Sequence, residues 1–217
     1  MNNLSLIQEI IVWSLPILFA VTVHEVAHGW MANKRGDRTA LMLGRLTLNP
    51  IKHIDLIGTI IVPLTCLTFG GFVFGWAKPV PVDYRNLRSP KRDSALVAVA
   101  GPFSNLLMAL IWASIAKIGE LAFHEGYPNS IVFIYMGHAG ITINLLLMIL
   151  NLLPIPPLDG SRVVSSMLPP RMAMAYDAIE PYGFFILLFL IFTNVLSFIL
   201  QPALQWSQMV IGSLFAF

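Results

Sequence analysis

His24, Glu25 and His28, in the pentapeptide HEVAH, are the residues whose types and spacing most directly suggest chemistry. On a helix, positions i and i+4 share a face, so His24 and His28 can offer two imidazoles to one metal ion. Glu25 stands beside them, placed to take a proton from a metal-bound water. The setting adds weight, because these groups sit near the far end of an apolar run, Leu4 to Met31. Within it, residues 4–23 carry a single charge, Glu9. About twenty apolar residues suffice to cross a bilayer as a helix. An ionisable side chain in hydrocarbon costs about 3 kcal/mol on insertion scales, which makes it a functional candidate by default. The plainer alternative is a histidine pair hydrogen-bonded inside a helix bundle, with Glu25 incidental. A third ligand distinguishes the two. The single cysteine, Cys66, excludes an internal disulfide framework and a thiolate cluster, so that ligand must be His, Asp or Glu.

The elements that must position these residues belong to a membrane protein. The chain has 217 residues, 57% hydrophobic and 11% charged, with a mean hydropathy of +0.76. A soluble domain carries about 25% charged residues. A net charge of +2 gives no reason to expect a nucleic-acid partner. The first apolar run is too long for a signal-peptide core and lacks a basic start, so it reads as a retained span over 4–32. Further spans are expected at 94–116, 131–153 and 183–200. A possible one follows at 203–217, set off by Pro202. The whole of 1–217 reads as one membrane domain.

Between the first two long spans the pattern is less regular. Leu41 to Leu48 alternates roughly and reads as an interfacial strand or hairpin edge. Leu56 to Trp76 is apolar but interrupted by Pro63 and Gly70-Gly71. Two basic loops flank it: Lys34, Arg35, Arg38, Arg45 and Lys52 before, Lys78, Arg85, Arg88, Lys91 and Arg92 after. Basic loops favour the cytoplasmic side, so a single crossing here would place one of them on the wrong face. A re-entrant or membrane-associated β-hairpin over 56–82 removes the conflict. The expected fold is therefore all-α and polytopic, a bundle of about 4–6 transmembrane helices with that hairpin region.

With both basic loops in the cytoplasm, the first helix runs from outside to inside. Its twenty residues before His24 rise roughly 30 Å, to near the cytoplasmic boundary. The span 94–116 then goes outward and 131–153 returns. It ends in Pro154-Ile155-Pro156-Pro157-Leu158-Asp159-Gly160, where three prolines in four residues break the helix. Charge and length alone thus bring Asp159 to the edge that holds His24 and His28.

Taken together, HEVAH, GPFSN (101–105) and NLLPIPPLDG (151–160) resemble the site-2 protease family of intramembrane zinc metalloproteases. The likeness is to the short prokaryotic branch, without PDZ or CBS domains, and covers nearly the whole chain. It implies one zinc ion per chain held by His24, His28 and Asp159, with Glu25 as general base. Asn105 and Asn151 would position the substrate backbone or stabilise the oxyanion. It further implies cleavage of single-span membrane proteins in a multi-pass cell-membrane enzyme whose active site lies near the cytoplasmic face. Two other readings use the same residues. One is a transporter whose intramembrane His, Glu and Asp relay ions; the other is a catalytically silent scaffold that keeps zinc for stability.

Overall fold

A computed structural model describes residues 5–61, 65 and 77–217. Helix α1 (Leu6–Arg35) opens with a capping box, in which the Ser5 hydroxyl accepts from the Gln8 amide and the Gln8 side chain accepts from the Ser5 amide. Thirty residues make it about 45 Å long, more than the thickness of a hydrocarbon core. It stops at Gly36, whose φ of +118° is a left-handed cap that a side chain would strain. Lys34 and Arg35 in the last turn complement the helix dipole.

The segment after α1 is organised by a buried carboxylate. Asp37 accepts from the amide and hydroxyl of Thr39, from the Asp83 amide at 2.8 Å and from the Asn86 side chain at 3.1 Å. It thereby starts the short α2 (Thr39–Met42) and ties it to a 3-10 turn at Tyr84–Asn86. The expected strand at Leu41–Leu48 does not form. Asp37 recruits its first residues into a helical turn, and 45–49 follow as irregular chain. A 3-10 turn at Pro50–His53 and a π-helical turn at Leu56–Ile61 come next, and 77–83 is extended. Among the described residues there is no strand. The middle of the expected β-hairpin, 62–64 and 66–76, lies outside them.

Helices α3 (Pro90–His124) and α4 (Ile131–Asn151) form the centre of the bundle. Their axes approach closely because α4 presents glycines to α3. A Cβ on Gly137 would lie 2.5 Å from Ala116, and one on Gly140 would lie 2.2 Å from the Trp112 ring. Ala109, Trp112 and Ala113 of α3 then pack on Ile141 and Leu145 of α4 and on Ile211 of the last helix. Van der Waals fit of this kind carries helix association where lipid is as apolar as the side chains.

The chain continues through α5 (Asp159–Met167), α6 (Pro170–Asp177), α7 (Gly183–Phe192) and α8 (Val195–Phe215). The break near the end falls at Asn194, with φ +58°, rather than at Pro202, which lies inside α8 on an exposed face. Asn enters the left-handed region more readily than most residues. Among the described residues, four helical stretches are long and apolar enough to cross a membrane: Ile7–Arg35, Pro90–His124, Pro128–Asn151 and Pro170–Phe192. Large apolar side chains such as Ile10, Phe185, Phe189, Phe192 and Phe198 point outward, as lipid contact requires.

Candidate metal centre

Helix α3 runs antiparallel to α1 and faces it with Val97, Gly101 and Asn105, each four residues apart on one side. Every one of them meets a site residue. The Val97 carbonyl accepts from His28 Nδ1 at 2.7 Å, and the Asn105 carbonyl oxygen accepts from His24 Nδ1 at 2.6 Å. Gly101 leaves the room the rings occupy: a Cβ there would fall 2.4 Å from His28 Nε2 and 2.6 Å from His24 Cε1. The rings stand edge to face, with centroids 4.6 Å apart.

These partners fix the tautomers. A backbone carbonyl only accepts, so His28 carries its hydrogen on Nδ1. Asn105 donates its two amide hydrogens to the Ala20 carbonyl at 3.1 Å and to Asn144 Oδ1 at 3.0 Å. Its oxygen must then face His24, which also carries hydrogen on Nδ1. Both Nε2 atoms therefore turn lone pairs toward each other, 3.0 Å apart.

Asp159 completes the triangle. The irregular chain 152–158 folds back on the end of α4, and Gly160 rests against it so closely that a Cβ would lie 2.3 Å from the Leu152 carbonyl oxygen. Tyr176 holds the same turn through the Pro154 carbonyl at 2.8 Å. Asp159, the first residue of α5, thereby brings Oδ2 to 3.3 Å from both His24 Nε2 and His28 Nε2. That oxygen is buried and has no hydrogen-bond partner. Burial alone would raise the carboxyl's pKa, but the two imidazoles beside it outweigh this and hold it at about 2. Asp159 is thus held as the anion.

The three atoms fit zinc. Tetrahedral bonds of about 2.0–2.1 Å place ligand atoms about 3.3–3.4 Å apart. The observed edges are 3.0, 3.3 and 3.3 Å. Two imidazole nitrogens and a carboxylate oxygen converge on one point, an arrangement that a metal cation satisfies. Among the described residues, His24, His28 and Asp159 form the one cluster able to hold a metal ion.

Glu25 projects from α1 beside this cluster. Its Oε2 accepts from the Val80 amide at 2.7 Å. Pro79 and Pro81 have no N–H, so Val80 supplies the only amide hydrogen of that extended tripeptide. The tripeptide is itself held in place, since Arg45 donates to the Lys78 and Pro79 carbonyls and the Lys78 amide donates to His53. The two expected substrate-contacting asparagines differ from each other. Asn105 is 0% exposed with both amide hydrogens committed, so it cannot donate to a substrate without breaking this network. Its oxygen accepts from His24 Nδ1. Asn151 is the half-buried last residue of α4, its amide donating back to the Leu147 carbonyl.

Asn144 and Gly101 are the site residues the sequence left unassigned.

The chain matches the family model described as peptidase family M50 over residues 12–126 and 115–193. It is 38% identical over 209 residues to "Putative zinc metalloprotease YwhC" of Bacillus subtilis (strain 168), covering 93% of this chain and 90% of that protein. It is 29% identical over 181 residues to "Putative zinc metalloprotease Rip2" of Mycolicibacterium smegmatis, covering 83% and 66%. A third likeness, 32% over 81 residues, is to "Putative zinc metalloprotease MJ0611" of Methanocaldococcus jannaschii, covering 37% and 38%. No solved structure matches.

Proposed function

The chain belongs to peptidase family M50, and we propose that this multi-pass membrane zinc metalloprotease cuts peptide bonds in or near the transmembrane helix of single-span membrane proteins. The observation that carries the reading is the convergence of His24 Nε2, His28 Nε2 and Asp159 Oδ2 within 3.3 Å, with Glu25 adjacent on the same helix. The three residues are the zinc ligands. When bound, zinc supplies a Lewis acid that lowers the pKa of a coordinated water toward about 7 and polarises the scissile carbonyl.

Glu25 is the general base. It takes the proton of the attacking water and returns it to the leaving amine, so that no charged amide anion has to depart. The Val80 amide fixes one oxygen of the Glu25 carboxylate and so its direction. Asn151, at the end of α4 and eight residues before Asp159, is the proposed contact to the substrate backbone. A substrate helix must unwind before attack, because its carbonyls are engaged in the helical ladder. The extended chain at 77–83 is the proposed holder of the unwound strand, which would pair with its backbone edge.

The site lies near the cytoplasmic face. Trp30 is exposed beside the site end of α1, with the Lys34 ammonium 4.5 Å from its ring centroid, a pairing suited to the headgroup level. His24 is six residues, or about 9 Å, deeper along the helix.

The test is co-expression of the full chain with single-span membrane proteins, alongside Glu25→Gln. Cleavage by the wild type that falls at least about a hundredfold in the variant, with bound zinc unchanged, supports the reading. Equal cleavage by Glu25→Gln would sink it.

A further inference from the structure

Asn144 of α4 touches neither a ligand atom nor Glu25, yet it stands at the root of a chain of hydrogen bonds that ends on His24. Its side-chain amide donates to the Gly140 carbonyl at 2.8 Å, and that partner can only accept. The Asn144 oxygen is therefore turned toward Asn105, whose amide it accepts at 3.0 Å. With a second acceptor, the Ala20 carbonyl, on the same amide, the Asn105 oxygen has one direction left, toward His24 Nδ1 at 2.6 Å. Each link is forced by the one before, and three helices contribute to it. Both asparagines are 0% exposed, so no water competes for these groups. A flipped amide at either position would set carbonyl against carbonyl in a buried site, at a cost of about 1–3 kcal/mol per unmet group.

We infer that Asn144 is a positioning residue for the metal centre: through Asn105 it holds His24 in the Nδ1–H tautomer, which keeps the Nε2 lone pair on the metal side. The inference rests on the reading that His24, His28 and Asp159 hold zinc. It assigns α4 a part in metal binding although it supplies no ligand, and it accounts for two fully buried amides on facing membrane helices. His28 needs no such relay, because its Nδ1 hydrogen goes straight to the Val97 carbonyl.

The experiment is a double-mutant cycle on the full chain in detergent, read as zinc affinity by competition with a chromophoric chelator. Asn144→Leu removes the acceptor and lets the Asn105 amide turn; affinity is expected to fall at least tenfold, the scale of lost support behind a metal-bound histidine. Asn105→Asp presents an oxygen to His24 in either orientation, so Asn144→Leu added to that background should change affinity less than twofold. A merely structural role for Asn144 would leave its effect equal in both backgrounds, and that result overturns the inference. So does wild-type affinity in Asn144→Leu. Asp159→Ala in the same assay separates the two readings. Lost zinc there with an intact Asn144→Leu refutes the relay alone, whereas retained zinc refutes the ligand set.

Discussion

Gly101→Ala is the smallest change that should disable the metal centre. The added methyl would lie 2.4 Å from His28 Nε2, 2.5 Å from His28 Cε1 and 2.6 Å from His24 Cε1. An ordinary carbon contact needs about 3.5 Å, so relief requires roughly 1 Å of movement by both rings. Zinc sites tolerate about 0.2 Å in ligand distance. Moreover, each ring is tethered at Nδ1 and cannot retreat without giving up the Val97 or Asn105 hydrogen bond. Losing that support alone weakens metal binding 10–100-fold, or about 1.4–2.7 kcal/mol, and displacing the ligand atoms adds to it. An expected loss of at least a hundredfold in zinc affinity follows. The substitution also separates site from fold, because alanine favours a helix interior over glycine by about 1 kcal/mol. With chelator present the variant should be destabilised by no more than the lost histidine hydrogen bonds cost, about 1–3 kcal/mol each less that helical gain, while the stabilisation that added zinc gives the wild type should vanish. Wild-type zinc affinity in Gly101→Ala would refute the packing argument.

Two further outcomes follow from the surroundings of the site. Val80→Pro deletes the amide hydrogen that holds Glu25 and, on the proposed role of Glu25 as general base, should lower cleavage about tenfold with zinc content unchanged; unaltered cleavage would remove Val80 from the mechanism. Asp37 is buried, which opposes its charge, but bonds from the Thr39 hydroxyl, Asn86 and the amides of Thr39 and Asp83 outweigh this and lower its pKa from the ordinary 3.8. A carboxylate depressed in the folded state stabilises fully above its unfolded pKa, and the contribution fades as pH falls below that. Asp37→Asn should therefore melt lower than the wild type at pH 7, by about 2 kcal/mol, and the gap should close as pH drops below about 4. A gap independent of pH would refute the assignment.

The candidate ligands were legible because their signal is local. Two histidines four apart on an apolar helix share a face whatever surrounds them, and Asp159 does lie 3.3 Å from both, as charge asymmetry and span length led one to expect. What supports the ligands was not legible, because it depends on the register between helices. Val97, Gly101 and Asn105 become a cradle only once α3 is set antiparallel to α1, and Asn144 matters only because its amide meets Asn105. The misread boundary at Pro202 has a related cause. Proline is a strong breaker in a soluble helix, yet α8 carries it on an exposed face, and the turn falls instead at an asparagine able to take positive φ. The alternation at Leu41–Leu48 suggested a strand, but Asp37 offered Thr39 two hydrogen bonds that start a helical turn.

Zinc K-edge X-ray absorption on the purified full chain tests the central claim most directly. Stoichiometric zinc with two imidazoles, oxygen for the remaining ligands at about 2.0–2.2 Å and no sulfur is the expected result. A wild-type protein that binds no zinc, or one whose spectrum requires a sulfur ligand, would contradict a centre built from His24, His28 and Asp159.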